Sequence, residues 1–381
     1  MSASSSWDIF CRVVDNYGDA GVCWRLARRL AALGGRPVRL WIDEPAALAP
    51  LVDGLEIGLA RQEIDGIDVR RWRDEWAPVA PARICVEAFG CGLPEPYVEA
   101  LAAAGSLWIV LEYLSAEAWI DGHHGLPSPH PRLPVARYYF FPGFTPRTGG
   151  LLLEPDLLAR RDAHDEAARA AYWAGLGCAP PPRDSTVVSI FGYPDAPLEG
   201  LLHHWARGPT PVVVAIPTGA LAARAAAALG ADASAGTTLR RDGLEVRILP
   251  FVPQSRYDVG LWSADVLFVR GEDSFVRAQW AARPFVWQIY PQAGDAHHRK
   301  LDAFLARYTA GLDAAAAAGL GRLWRAWNRI GGAETDIAAA WDACLAQRAT
   351  LVRHGMAWAA ERAAVGDLAE NLAEFCADKL K

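Results

Sequence analysis

Val13-Val14-Asp15-Asn16-Tyr17-Gly18-Asp19-Ala20-Gly21-Val22-Cys23-Trp24-Arg25 is a glycine-containing turn that sets two carboxylates four residues apart. The residues leading into it, Asp8–Val14, read as a short strand. Those leaving it read as an amphipathic helix, because Val22, Leu26, Leu30 and Leu33 recur on one face and Gly34-Gly35 ends the pattern. Strand, turn and helix in that order open a parallel α/β series. Acidic side chains at a strand's carboxyl end do little for packing, whereas facing a crevice they are useful for chemistry.

The series continues outward. Val38–Ile42, Arg83–Glu87, Leu107–Leu111 and Tyr138–Phe141 are short apolar runs separated by helical patterns. A passage rich in proline and glycine, 122–150, reads as loop and linker. Residues 155–175 look helical, and Pro180-Pro181-Pro182 precedes a second series of strands at Thr186–Phe191, Pro211–Ile216, Leu244–Leu249, Val266–Val269 and Phe285–Ile289. Beyond about residue 296 the chain reads as helix to Lys381. The expectation is two doubly wound domains facing across a cleft, 1–150 and 151–355, closed by helices toward the C-terminal end. Ligands in such sheets bind beyond the carboxyl ends of the strands. No G-x-G-x-x-G follows the first strand and no P-loop occurs, so a dinucleotide dehydrogenase or P-loop enzyme lacks its phosphate loop.

Composition narrows the classes further. With 381 residues and 52% hydrophobic content, the chain can bury more than one core. No apolar run approaches the roughly 18 residues of a membrane span, and Met1-Ser2-Ala3-Ser4-Ser5-Ser6 does not read as a secretory signal, which points to the cytoplasm. A net charge of −6 gives no global reason to expect a nucleic-acid partner. Seven cysteines form no C-x-x-C pair and read as buried thiols rather than zinc ligands or disulfides. The histidine doublets at 123–124, 203–204 and 297–298 are poor metal pairs, since adjacent side chains diverge. Sixteen tryptophans spread without a repeat are expected mostly in core and interdomain packing.

A second constellation closes one of the later strands: Val269-Arg270-Gly271-Glu272-Asp273-Ser274-Phe275. Asp273 or Ser274 is placed to cap the following helix, whose positive end suits a phosphate, and Arg270 adds a planar donor fork. The plainer reading, a capped helix with a surface ion pair, stays open beside it. Three aromatic segments also follow strands: Phe191-Gly192-Tyr193-Pro194, Phe251-Val252-Pro253-Gln254 and Tyr290-Pro291-Gln292-Ala293-Gly294-Asp295. They suit a nucleotide pocket, with rings to stack on a base and the Gln254 amide to read its edge; each ring is also an ordinary core residue.

The stretch from Trp7 to Arg28 and the stretch Arg270–Gln279 together resemble the EarP family of bacterial protein-arginine rhamnosyltransferases, and the likeness runs nearly the full length. The resemblance implies a GT-B glycosyltransferase of two Rossmann-like domains, with the last helix, over about 356–381, packing back on the first domain. Its implied reaction moves L-rhamnose from dTDP-β-L-rhamnose, with inversion and without a metal or other cofactor, to one arginine of translation elongation factor P, readying that factor for polyproline stretches. Asp15, Asp19 and Glu272 match the family's essential acidic residues. Phe191, Tyr193, Phe251, Gln254, Arg270, Asp273, Ser274 and Tyr290 match or adjoin its donor-binding positions. A guanidinium of pKa about 13.8 cannot be stripped first by a carboxylate of pKa about 4, a step uphill by about 13 kcal/mol. The pair is therefore expected to orient the arginine and take a proton as the N–C bond forms, with Asp15 preferred as the acceptor. A GT-B transferase with another acceptor, and a non-catalytic nucleotide-sugar binder, are the alternatives.

Overall fold

The computed structural model describes residues 6–34, 37–73, 76–292, 294, 296–331 and 336–381. Of the positions singled out in the sequence, Met1–Ser5, Gly35, Ala293 and Asp295 lie outside the described residues. Packing divides the chain into two units, Met1–Glu154 with Glu361–Lys381, and Pro155–Ala360. Residues 151–154 thus belong to the first unit rather than the second, and the chain rejoins it at Glu361 rather than 356. The reason is local bonding: Leu151 bridges to Asp367, the Leu153 N–H donates to Asp367 Oδ1 at 2.8 Å, and Arg25 meets Glu154 at 2.6 Å.

The first unit is an eight-stranded sheet. In chain order its strands are β1 (Trp7–Cys11), β2 (Val38–Ile42), β3 (Arg61–Ile64), β4 (Ile67–Arg71), β5 (Ile84–Ala88), β6 (Leu107–Leu111), β7 (Pro127–Pro129) and β8 (Ala136–Phe140). They lie in the order β3-β4-β2-β1-β5-β6-β8-β7. All neighbours are parallel except the two edge strands, β3 on β4 and β7 on β8. Taken alone, the six parallel strands follow the doubly wound order 3-2-1-4-5-6, whose reversal falls between β1 and β5. β1 is buried along its whole length, as a central parallel strand covered on both faces must be. Its one charge, Asp8, is offset by Arg39, by the Trp41 Nε1–H at 2.9 Å and by the Ala82 N–H at 2.8 Å.

Four departures from the sequence reading have physical causes. β7 lies inside the passage read as loop, because proline is tolerated on an edge strand, and its neighbour β8, read as Tyr138–Phe141, begins two residues earlier at Ala136. β3 and β4 escape an apolar search: β3 is half exposed and reads Arg-Gln-Glu-Ile. Their turn, Asp65-Gly66, has positive φ at both residues and is the hairpin signal that marks them. In the second unit the polar edge strand Thr238–Arg241 is missed in the same way. Leu33 caps the first helix, Tyr17–Ala32, and is 39% exposed, so that helix's buried stripe ends at Leu30.

The last helix, Leu368–Lys379, is built into the first unit's core through Leu368, Ala369, Leu372 and Cys376. Asp367 caps it and is gripped by Arg29 of the first helix at 2.9 Å. On the sheet's other face Phe10, Trp41, Trp72, Tyr97 and Trp108 form an aromatic core.

The second unit carries β9 (Thr186–Ile190), β10 (Val212–Pro217), β11 (Thr238–Arg241), β12 (Leu244–Leu249), β13 (Val266–Arg270) and β14 (Phe285–Gln288), in the order β11-β12-β10-β9-β13-β14. Only β11 is antiparallel in this sheet, and the order in which the five parallel strands are laid down reverses between β9 and β13. Trp205, Trp280, Trp324 and Trp327 are among its fully buried side chains. Among the described residues no helix is long and apolar enough to cross a membrane.

Candidate active site

In a doubly wound sheet the two loops at the reversal point part to opposite faces and leave a crevice. The turn that opened the sequence leaves β1 at that point in the first unit. Asn16 holds a positive φ of 40° just before the first helix, a conformation an L-residue adopts only where its surroundings enforce it. What enforces it is Asp19: its Oδ2 accepts the backbone N–H groups of Val14 at 2.7 Å and Asp15 at 2.8 Å. A carboxylate in the first helical turn thus reaches back and ties down the chain that presents its companion.

The two carboxylates differ in setting. Asp15 is 9% exposed and Asp19 only 1%. Burial, helped by the negative charge of Asp43, raises the Asp19 carboxyl above the usual aspartate range, against the lowering pull of the Asp15 and Val14 amides and the Tyr113 hydroxyl. Asp43 comes from the end of β2 and accepts the Val13 N–H at 2.9 Å. Tyr113 comes from beyond β6 and stacks on Phe89, from the end of β5, with centroids 4.3 Å apart. Asp43, Phe89 and Tyr113 were missed in the sequence. Their only local signal is a position one or two residues after a strand.

In the second unit the reversal point lies between β9 and β13, and the sequence-predicted donor residues gather around it. The Arg270 guanidinium carbon sits 4.6 Å from the ring centres of both Phe191 and Tyr193. Phe251 meets Phe191 edge-on, and Tyr290 meets Tyr193 likewise at 5.7 Å. The rings read as base-stacking surfaces therefore flank the arginine here, a cation–π arrangement that fixes its donor fork. Gln254 is buried, and its amide nitrogen donates to Asp273 Oδ2 at 2.8 Å.

The expected cap is also corrected. The helix starts at Glu272 with Gly271 in the cap position, so neither Asp273 nor Ser274 caps it. Ser274 lies inside the first turn and donates back to the Arg270 carbonyl, while Asp273 is committed to Gln254. Glu272 opens the helix, half-buried. The turn is held by the Trp287 Nε1–H donating to the Gly271 carbonyl at 3.1 Å.

Gln288, at the end of β14, was also missed. Its Oε1 accepts the Tyr193 N–H at 2.7 Å and its amide donates to Asp195. It lies so close to the loop that a Cβ at Gly192 would come within 2.9 Å of it, which is why that position is glycine.

A chain of two doubly wound units, with a polar constellation at each reversal point and its last helix returned to the first unit, is a glycosyltransferase of the GT-B class. It belongs to the EarP family: residues 7–377 match the family model described as Elongation-Factor P (EF-P) rhamnosyltransferase EarP. It is 46% identical to the protein-arginine rhamnosyltransferase of Pseudomonas putida over 381 residues, covering 99% of this chain and all of that one. Among solved structures it is similar, with a TM-score of 0.70 and 35% identity over 98% of this chain and 99% of the other, to one described as the structural basis for EarP-mediated arginine glycosylation of translation elongation factor EF-P. The spinosyn rhamnosyltransferase SpnG shares the fold, with a TM-score of 0.53 and 13% identity over 97% of this chain and 99% of that one.

Proposed function

We propose that this protein transfers L-rhamnose from dTDP-β-L-rhamnose to a guanidine nitrogen of one arginine of translation elongation factor P, in the cytoplasm. The observation that carries the reading is the Asp15–Asp19 pair at the reversal point of the first sheet. Two carboxylates on one pinned turn suit a cationic guanidinium far better than the neutral hydroxyl that most sugar acceptors offer.

Asp15, the more exposed of the two, grips and orients the guanidinium. Asp19, the more deeply buried, takes the proton: burial raises its carboxyl, and a raised carboxyl is a stronger base than an unshifted one. This reverses the order expected from the sequence. The gap to a guanidinium remains several pKa units, so the proton leaves only as the nitrogen bonds to the anomeric carbon and becomes acidic. In the same step the bond from the anomeric carbon to the diphosphate oxygen breaks, its electron pair leaves with the nucleoside diphosphate, and attack from the opposite face inverts the centre.

Arg270, held between Phe191 and Tyr193, meets the negative charge growing on the leaving group, and the start of the Glu272–Ala281 helix adds its dipole. Phe251 and Tyr290 extend the donor surface, while Gln254, Asp273 and Ser274 hold the turn that carries Arg270. Glu272, half-buried at the start of that helix, is assigned to holding the sugar or favouring positive charge at its anomeric carbon.

The direct test is intact-mass analysis of elongation factor P after incubation with this protein and dTDP-β-L-rhamnose. A gain of one deoxyhexose, mapped to a single arginine, is expected. No gain on a folded acceptor, or gain on a hydroxyl, refutes the proposal.

A further inference from the structure

The carboxylate pair stands among groups brought from three other strand ends. From β2 comes Asp43, one residue past the β1–β2 register pair Cys11 and Ile42, its N–H 3.3 Å from the Cys11 carbonyl and its Oδ1 holding the Val13 N–H. From β6 comes Tyr113, whose hydroxyl donates to Asp19. From β5 comes Phe89, at a positive φ of 58° and anchored by its N–H to the Leu111 carbonyl at 2.6 Å, with its ring stacked on Tyr113 at an interplanar angle of 13°. Phe89 fixes the plane of the tyrosine ring and so the line along which the hydroxyl reaches Asp19.

We infer that Tyr113 and Asp43 are positioning residues for the transfer reaction, acting on Asp19 with opposite sign: Tyr113 by donating a hydrogen bond to its ionised form, Asp43 by setting a second negative charge beside it. This deepens the proposed function and rests on Asp19 as the proton acceptor. The two influences need each other. Asp43 alone would favour the neutral carboxyl, which cannot take a proton; Tyr113 and the two backbone amides alone would leave a stable carboxylate, which takes one poorly.

Among the described residues, the titratable groups that act on or sense Asp19 include Asp43 beyond β2, Tyr113 beyond β6 and the buried Cys11 on β1, while Asp15 meets it through its backbone N–H. The free Cys11 thiol is hydrogen-bonded to Cys23 and pushed well above the ordinary thiol range by that hydrogen bond and by burial, so it carries no charge in the working range.

The test uses conservative variants of the full chain, with elongation factor P and dTDP-β-L-rhamnose as substrates. Tyr113→Phe keeps the ring on Phe89 and removes the hydroxyl; Asp43→Asn keeps an oxygen for the Val13 N–H and removes the charge. Transfer rates are measured against pH at saturating donor. Removing the donated hydrogen bond moves the acid limb of the profile to higher pH, and removing the like charge moves it to lower pH. At one acidic pH on that limb, the fraction of plateau rate retained then changes by about twofold or more in opposite directions. Donor KM stays unchanged in both, since neither residue belongs to the donor-binding unit.

A limb that does not move, or moves the same way in both variants, overturns the inference; a merely structural role would lower the rate without an opposed displacement. Asp19→Asn separates the two levels. If it transfers rhamnose at a normal rate, the proton-acceptor reading itself fails. If it abolishes transfer while the Tyr113 and Asp43 variants keep the wild-type profile, only the present inference fails.

Discussion

Replacing Gly18 by alanine sets the proposed catalytic turn against itself. Gly18 is the second residue of the Tyr17–Ala32 helix, and a Cβ built there meets Asp15 Oδ2 at 2.8 Å and its Cγ at 3.3 Å. Ordinary contact begins near 3.4 Å, so the Asp15 carboxylate must retreat by about 0.6 Å. The atom that yields is the end of a rotatable side chain, so the fold can absorb the change. Alanine is also the better helix former by up to about 1 kcal/mol. The catalytic consequence runs the other way, because misplacing a reacting group by about 1 Å can cost about a hundredfold in rate. A displacement of this size is therefore expected to lower transfer by roughly tenfold or more, with the melting temperature unchanged or raised and donor affinity intact. Intact-mass kinetics on elongation factor P, thermal unfolding and calorimetric titration with dTDP-β-L-rhamnose measure the three quantities. Transfer within about twofold of wild type would show that the position of Asp15 does not matter, and the reasoning would fail.

Three further outcomes follow from the same geometry. Asp15→Asn should keep donor binding and lose at least about two orders of magnitude in transfer; near-normal turnover would remove Asp15 from the chemistry. Arg270→Lys replaces a planar cation held between two rings by a point charge, and with each stack contributing about 0.5–1 kcal/mol the donor should bind about tenfold more weakly by calorimetry; equal affinity would refute the clamp. Asp19 is raised in the fold mainly by burial, so between its unfolded and folded pKa the folded chain holds the extra proton and stability falls as pH rises through that window. Asp19→Asn should therefore melt higher than wild type at neutral pH, with the gap closing as pH drops below the window; a gap that widens on acidification contradicts the sign.

Much of the fold was legible because it is encoded locally. Leu107–Leu111, Val212–Ile216 and Val266–Val269 are continuous apolar runs, and burial on both faces of a parallel strand requires such runs. The edge strands were not legible, since an edge faces water and Arg61–Ile64 or Thr238–Arg241 reads like any polar segment. Of the candidate site, Asp15 and Asp19 were legible because both sit in one turn. The cap assigned to Asp273 or Ser274 was misplaced because Gly271, with a φ of 66°, already turns the chain into the helix.

The amino-acid sequence alone determined the two α/β series, the carboxylate turn, the Arg270–Ser274 turn and the family likeness, since each rests on residues close together along the chain. Only the tertiary structure decided the strand order, and with it the reversal points between β1 and β5 and between β9 and β13. That order brings Asp43 and Tyr113 to Asp19 from distant parts of the chain and sets Phe191 and Tyr193 against Arg270. Periodicity records which face of an element is buried, but not which element will lie beside it. The different burial of Asp15 and Asp19, on which the proposed division between gripping an arginine and taking its proton rests, belongs to the packed turn and to no shorter stretch of chain.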